Sequence, residues 1–201
     1  MKSLHRKDLF GWSVFNENLD IDFNSVLWTR DGGNILVDPL PMTSHDQEHL
    51  AKLGGAAWIV VTNSDHIRAS REIAAQTGAK LVGPAGEEAT MTLRCDRWLI
   101  DGEELVPGLV AVAMAGSKTP GELALLLDGS TLITGDLIRA HRAGRMMMLP
   151  EPKTKDRVKA IASIARVAEM GEIEAILVGD GWPVFHAGRE RLLELVDHLN
   201  G

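Results

Sequence analysis

Apolar positions along the chain fall into short runs broken by glycine, proline or an acid, and the period of these runs changes from one part to the next. Between Leu9 and Asp38 the stretches GWSVFN, IDFNSVLWTR and NILVDP read as strands. Asp31-Gly32-Gly33 joins the last two as a hairpin turn, because flexible positions let the backbone reverse with positive φ. Thr43 or Ser44 then caps a helix from His45 to Leu53, stopped by Gly54-Gly55, and the apolar run AAWIVVT follows as a strand. A helix over Ile67 to Thr77, closed by Gly78, leads into the strand AKLVGP.

Further on, GLVAVAMAG and ELALLLDGSTLITGD supply strands apolar enough to be covered on both faces, with Asp128-Gly129 as a turn inside the second. The stretch RAHRAGRMMMLPEPKTK, Arg139 to Lys155, has no clean period and two prolines, so it reads as a long loop. Asp156 to Met170 is a helix, EAILVGD a strand, and Gly188 to Leu199 an amphipathic helix with Leu192, Leu193, Leu195, Val196 and Leu199 on one stripe. No low-complexity linker divides the chain. The pattern predicts one domain over residues 1–201, a sandwich of two sheets flanked by helices.

Charge and cysteine content limit the chemistry. A net charge of −7 and the lack of a Lys/Arg block exclude a nucleic-acid binder, which needs a concentrated basic face. The single cysteine, Cys95, permits neither an internal disulfide nor a cysteine-based zinc cluster, so any metal site rests on His and carboxylates. With no apolar run of about 18 residues and no signal-like start, the chain reads as cytoplasmic, with no membrane association.

Four apolar strands end in polar clusters, and three of the clusters carry an acid where the strand stops: VVTNSDH, TLITGD and AILVGDG. The fourth is AVAMAGSKTPG. In layered α/β folds functional groups gather at such ends, where loops aim several side chains at one point. In order and spacing, from ILVDP at Ile35 to GDG at Asp180, the series resembles the metallo-β-lactamase-fold hydrolase superfamily. That family pattern has Thr-His-x-His-x-Asp-His, Gly-His-Thr-Pro-Gly, Gly-Asp and Gly-His at successive strand ends. Anchored on Asp65-His66, this chain keeps the Asp-His pair with a loop two residues short. Anchored on Thr62, it places Asn63 and Asp65 at the first two histidines, and Ile67 and Arg68 on the Asp-His positions. The first register keeps the following helix in phase and is preferred. Lys118 of GSKTPG stands at a histidine position, Asp136 at the bridging acid, and Asp180 at the final histidine. Asp38 matches a supporting position.

The resemblance implies an α+β fold of four layers, an αββα sandwich with two mixed sheets flanked by helices, and, by ligand counting, the loss of the family's three-histidine site. Asp65, His66, Asp136 and Asp180 remain as the shell of at most one divalent ion. Three carboxylates and one imidazole favour Mn²⁺, Fe²⁺ or Mg²⁺ and also accept Zn²⁺. The implied activity is hydrolysis of an ester-type small substrate, the ion lowering the pKa of a bound water, with Asp65 or Asp180 as base and Lys118 holding an anionic group of the substrate or pairing with Asp136. The rival reading is a catalytically silent, metal-free member that binds a small ligand or a partner, with Lys118 balancing the acids. His141 and His186 lie just beyond two strand ends as weaker candidates for a ligand or a proton relay, and His45 and His49, at a spacing able to bind metal but without a third ligand, read as a surface pair. Met146 to Met148 read as a stretch tucked on the core, the alternative being the wall of an apolar substrate pocket. Arg139, Arg142 and Arg145 read as solvent-facing, the alternative being to steer an anion beside Asp136. A nucleotide-binding reading fails because no glycine turn opens a helix.

Overall fold

The computed structural model describes residues 1–201. Its first sheet contains seven strands in chain order: β1 (Lys2–Ser3), β2 (Leu9–Asn16), β3 (Ile21–Trp28), β4 (Ile35–Val37), β5 (Trp58–Val60), β6 (Lys80–Pro84) and β7 (Arg97–Leu99). The first four pair antiparallel and the last four parallel, so β4 is where the sheet changes sense. The second sheet is built from β8 (Glu104–Val106), β9 (Leu109–Ala113), β10 (Leu123–Leu127) and β11 (Thr131–Thr134), with β14 (Ala175–Val178) added parallel to β11. Between β11 and β14 the chain forms a separate hairpin of β12 (Ile138–Arg142) and β13 (Arg145–Met148). The mixed sheets carry α1 (Ser44–Lys52) and α2 (Ser70–Thr77) on one outer face and α3 (Arg157–Ala168) and α4 (Gly188–Asn200) on the other.

Three apolar layers follow from the strand pattern. Val37, Val60 and Val82 of the first sheet meet Ala111, Leu125, Ile133 and Leu177 of the second in the middle layer. Leu36, Ile59 and Val61 point the other way onto Leu50 and Ile73 of α1 and α2, and Leu132, Ile176 and Val178 onto Ile164 and Leu192 of α3 and α4. Alternation of side chains along a strand explains why runs such as LALLL are buried throughout: both faces of the sheet are covered. Thr43 caps α1 with a reciprocal bond to Asp46, and Asp156 caps α3.

Two expectations need correction. The stretch from Arg139 to Lys155 is not a loop: it continues the β12–β13 hairpin through the tight turn at Gly144 (φ 74°) and ends in a 3-10 turn, Glu151–Lys153. One extra residue between Arg139 and Arg142 breaks the alternation, which hides the hairpin from a period-two reading. Helix α2 starts at Ser70 rather than Ile67, because Arg68 takes a left-handed φ of 44° that no α-helix can pass through.

Candidate functional site

The ends of β4, β5, β11 and β14 meet at one edge of the sandwich, where Leu123 N donates to Thr62 O and ties the two sheets together (2.9 Å). Asp38, one residue past β4, is buried and held in a left-handed φ of 47°. Its carboxylate accepts from Thr62 N (2.7 Å) and Thr62 Oγ1 (2.6 Å) and meets Nδ1 of His66 at 2.8 Å. The 3-10 turn Ser64–His66, capped by the Asn63 side chain, swings His66 inward until it is only 4% exposed. Its Nε2 then faces Asp136 Oδ1 at 3.6 Å. Close approach there requires glycine before each acid. A Cβ on Gly135 would come within 2.9 Å of Thr62 Oγ1, and one on Gly179 within 3.0 Å of His66 Cε1.

Two arginines close the centre. Arg139 donates from Nη2 to Asp136 Oδ1 (3.0 Å) and Asp180 Oδ2 (2.6 Å), and from Nε to Asp136 O (3.2 Å). At 7% exposure it lies inside the protein, contrary to the solvent-facing expectation, because β12 starts two residues after Asp136 and turns this side chain back onto the two carboxylates. Arg68 donates from Nη1 to Asn24 O (2.6 Å) and Asp38 O (3.0 Å), which holds its strained backbone in place. Its Nη2 lies 3.4 Å from His66 Nε2 and 3.8 Å from Asp180 Oδ1, an oxygen without a hydrogen-bond partner.

Charges in this buried cluster set one another's protonation. Burial opposes a charge on His66, but the Asp38 carboxylate and the contacts with Asp136 and Asp38 outweigh it and push the imidazole up to about 10. Arg68 at Nε2 works against this; two full negative charges at comparable range exceed its single positive one. Burial also opposes ionisation of Asp136, which His66, Arg139 and Lys118 nevertheless hold well below the usual carboxylate range. Glu122 lies behind the centre, fully buried. Its carboxyl contacts Ser117 Oγ and accepts from Leu137 N (2.7 Å), and burial with the nearby Asp136 charge raises it to about 8.

Of the residues picked from the sequence, His66, Asp136 and Asp180 come together, with ligand-type atoms within 4.8 Å of one another. Asp65 is not among them. The turn that carries His66 inward sends Asp65 to the rim, where it pairs with Lys118, each side chain two-fifths or more exposed. Lys118 therefore does not reach Asp136 or Asp180 as a hydrogen-bond partner, and the Asp65 pairing raises its pKa. Each register leaves a residue in the centre: His66 from the first, and from the second Arg68 and Asn63, whose Nδ2 donates to Asp136 Oδ2 (3.3 Å). His186 is exposed beside Glu174, and His49 packs edge-on against Phe10. His141 sits on β12 with an unpartnered Nε2. The preferred register leaves Arg68 out of the centre, and the solvent-facing reading leaves out Arg139, although both follow an acid-bearing strand end by a few residues.

A divalent ion among His66, Asp136 and Asp180 would need a lone pair on Nε2 and open carboxylate oxygens. Arg139 occupies one oxygen of each acid, Arg68 stands against Nε2, and a protonated imidazole has no lone pair to give. Asp38, Asp136 and Asp180 are already matched by His66, Arg68 and Arg139, so two further positive charges would have no counter-charge. At the three-histidine positions stand Asn63 or Asp65 and the ammonium of Lys118, which cannot ligate. As arranged, these residues do not fit a resident metal ion.

A family model described as the metallo-beta-lactamase superfamily matches residues 1–199. The chain is 25% identical over 158 residues to a hydroxyacylglutathione hydrolase of Acidiphilium cryptum, an alignment covering 77% of this chain and 65% of that protein. A second hydroxyacylglutathione hydrolase, from Brucella anthropi, is 34% identical over 85 residues, 41% of this chain and 32% of the relative. The chain thus spans less than two thirds of either relative. Among solved structures it is similar to the metallo-beta-lactamase FIM-1 of Pseudomonas aeruginosa in its mono-zinc form, with a TM-score of 0.75 at 16% identity, covering 98% of this chain and 94% of that one. The match over nearly the full length and the shared αββα sandwich place this chain in the metallo-beta-lactamase superfamily of hydrolases.

Proposed function

We propose that this chain binds a small molecule at the strand-end cleft without a resident metal ion, guanidinium groups having taken over the ion's place. The observation that carries the reading is Arg139 Nη2, at 3.0 Å from Asp136 and 2.6 Å from Asp180. An ion that bridged these carboxylates through the same two oxygens would have to displace it. Arginine suits the role because its charge is permanent and its fork of donors serves two carboxylates at once. A cavity of about 670 Å³ lies beside the Asp180 loop, with Asn24, Gly181 and Trp182 in its wall and none of the centre's charged groups, a volume suited to a small organic ligand next to the centre. At the rim Lys118 is the accessible cation, able to exchange Asp65 for an anionic group of the ligand.

The convergence of His66, Asp136 and Asp180, together with the two hydrolases named above, favours a second reading, in which the chain hydrolyses an ester or thioester with one ion of Zn²⁺, Mn²⁺ or Fe²⁺. That reading requires both arginines to leave the centre. The two part in one experiment: hydrolysis of a panel of esters and thioesters, and the melting temperature, measured with and without each ion. The metal-independent reading predicts no ion-dependent turnover and no stabilisation by any ion. Turnover that appears with an ion and vanishes with a chelator would refute it.

A further inference from the structure

The tip of the β12–β13 hairpin raises a question that the strand-end centre leaves unanswered. Arg142 and Arg145 face each other directly across its two-residue turn. Like charges in opposed positions of an antiparallel pair destabilise it. Neither guanidinium makes an ion pair or a side-chain hydrogen bond within the chain. Both line a cavity of about 480 Å³ together with Arg191, His198 and Glu194, over a floor of Met146, Met147 and Leu195. Arg191 spends part of its charge on Glu194 at 2.7 Å, and no other acid lines the cavity. Three arginines and a histidine against one glutamate make a positive pocket in a chain whose net charge is −7.

We propose that this pocket, between the hairpin tip and α4, binds the phosphate group of a small organic phosphate whose apolar part lies on Met146, Met147 and Leu195. Guanidinium forks match phosphate oxygens in paired hydrogen bonds, and an anion between Arg142 and Arg145 relieves the repulsion the hairpin otherwise carries. The volume is that of a small-molecule site, which favours such a ligand over an extended polyanion. The extra residue in β12 lies between Arg139, bound to Asp136 and Asp180, and Arg142, which lines the pocket, so the hairpin serves both places while the pocket shares none of the centre's residues. This inference is independent of whether the centre holds a metal.

Calorimetric titration of the full chain with phenyl phosphate and with inorganic phosphate tests it. Phenyl phosphate should bind more tightly than phosphate, binding should weaken with salt, and the double variant R142A/R145A should lose about tenfold or more in affinity. Both positions are exposed, so the variant is expected to keep its fold, which its melting curve checks. K52M, which removes an exposed cation of α1 on the opposite outer face, should leave the affinity unchanged. Failure of phenyl phosphate to bind would overturn the proposal. So would equal affinity in R142A/R145A, or a loss confined to K118M, which removes the accessible cation of the strand-end cleft and would move the anion there. Capture by vesicles containing an anionic phospholipid without binding of phenyl phosphate would also overturn it, since the ligand would then be a membrane surface.

Discussion

Replacing Arg139 by methionine keeps an unbranched side chain of similar length but removes the cation that Asp136 and Asp180 share. Both carboxylates are buried, at 7% and 2% exposure, so neither can turn to water for compensation. Breaking a buried pair by deleting one partner costs about 3–5 kcal/mol, because an uncompensated charge is left behind. For a chain of this size that is a drop in melting temperature of roughly 10 °C. The loss should depend on pH with a definite sign. Without Arg139, Asp136 loses one of the cations that hold its carboxyl down and binds a proton more readily in the folded state, so the penalty is greatest near neutrality and shrinks towards about pH 4 as protonation removes the charge. Urea denaturation of R139M and the parent at both pH values measures this directly. R139K, which keeps the charge but loses the fork, should fall between them. The same variant frees one oxygen on each acid, so Mn²⁺ or Zn²⁺ should stabilise R139M and not the parent. A loss below about 1 kcal/mol at neutral pH, or one that does not change with pH, would refute the charge-balance reasoning.

Other consequences follow from the same cluster. His66 is raised from 6.5 to about 10 in the folded state, so the stability it contributes is complete below about pH 6.5 and is lost as pH rises through 10; Glu122, raised from 4.5 to about 8, favours the fold in its neutral form and also costs stability as pH rises over that interval. The urea midpoint should therefore fall between about pH 6.5 and 10, by an amount on the order of a few kcal/mol, and a flat profile would contradict the assignment of His66. Lys118→Ala breaks only a half-exposed pair with Asp65 and should cost less than about 1 kcal/mol, reduced further by salt, as measured by the same melts. Gly135→Ala would drive a methyl against Thr62 Oγ1, Glu122 Oε1 and Asn63 Nδ2 and should destabilise by about 1–3 kcal/mol, visible as a lower melting temperature; a neutral result would mean the strand ends pack more loosely than described.

Much of the fold was legible because the apolar runs that become β5, β10, β11 and β14 are short, continuous and stopped by Thr-Asn, Asp-Gly or Gly-Asp, and because Thr43, Asp156 and Gly78 cap helices by local chemistry. The β12–β13 hairpin was not legible, since a bulge and arginines on both strands erase its period. In the site, the acids at strand ends could be read as converging from their position alone, and Asp136 and Asp180 do lie together with His66. What could not be read was the direction each side chain takes after its strand. A three-residue turn separates the inward His66 from the outward Asp65, and a left-handed Arg68 reaches back towards Asp180. Arg139, which looks like any charged residue ahead of a polar stretch, is buried only because two carboxylates on different strands receive it. Such long-range pairing carries no local signature.

The central claim is that the guanidinium of Arg139 stands where an ion would otherwise bind, and elemental analysis of the protein tests it most directly. Protein purified without a chelator and dialysed against metal-free buffer should carry no stoichiometric zinc, manganese or iron, whereas R139M prepared in the same way after exposure to Zn²⁺ should retain up to about one ion per chain. About one tightly held ion per chain in the parent protein would contradict the account, since Asp136 and Asp180 cannot serve Arg139 and a metal with the same oxygens.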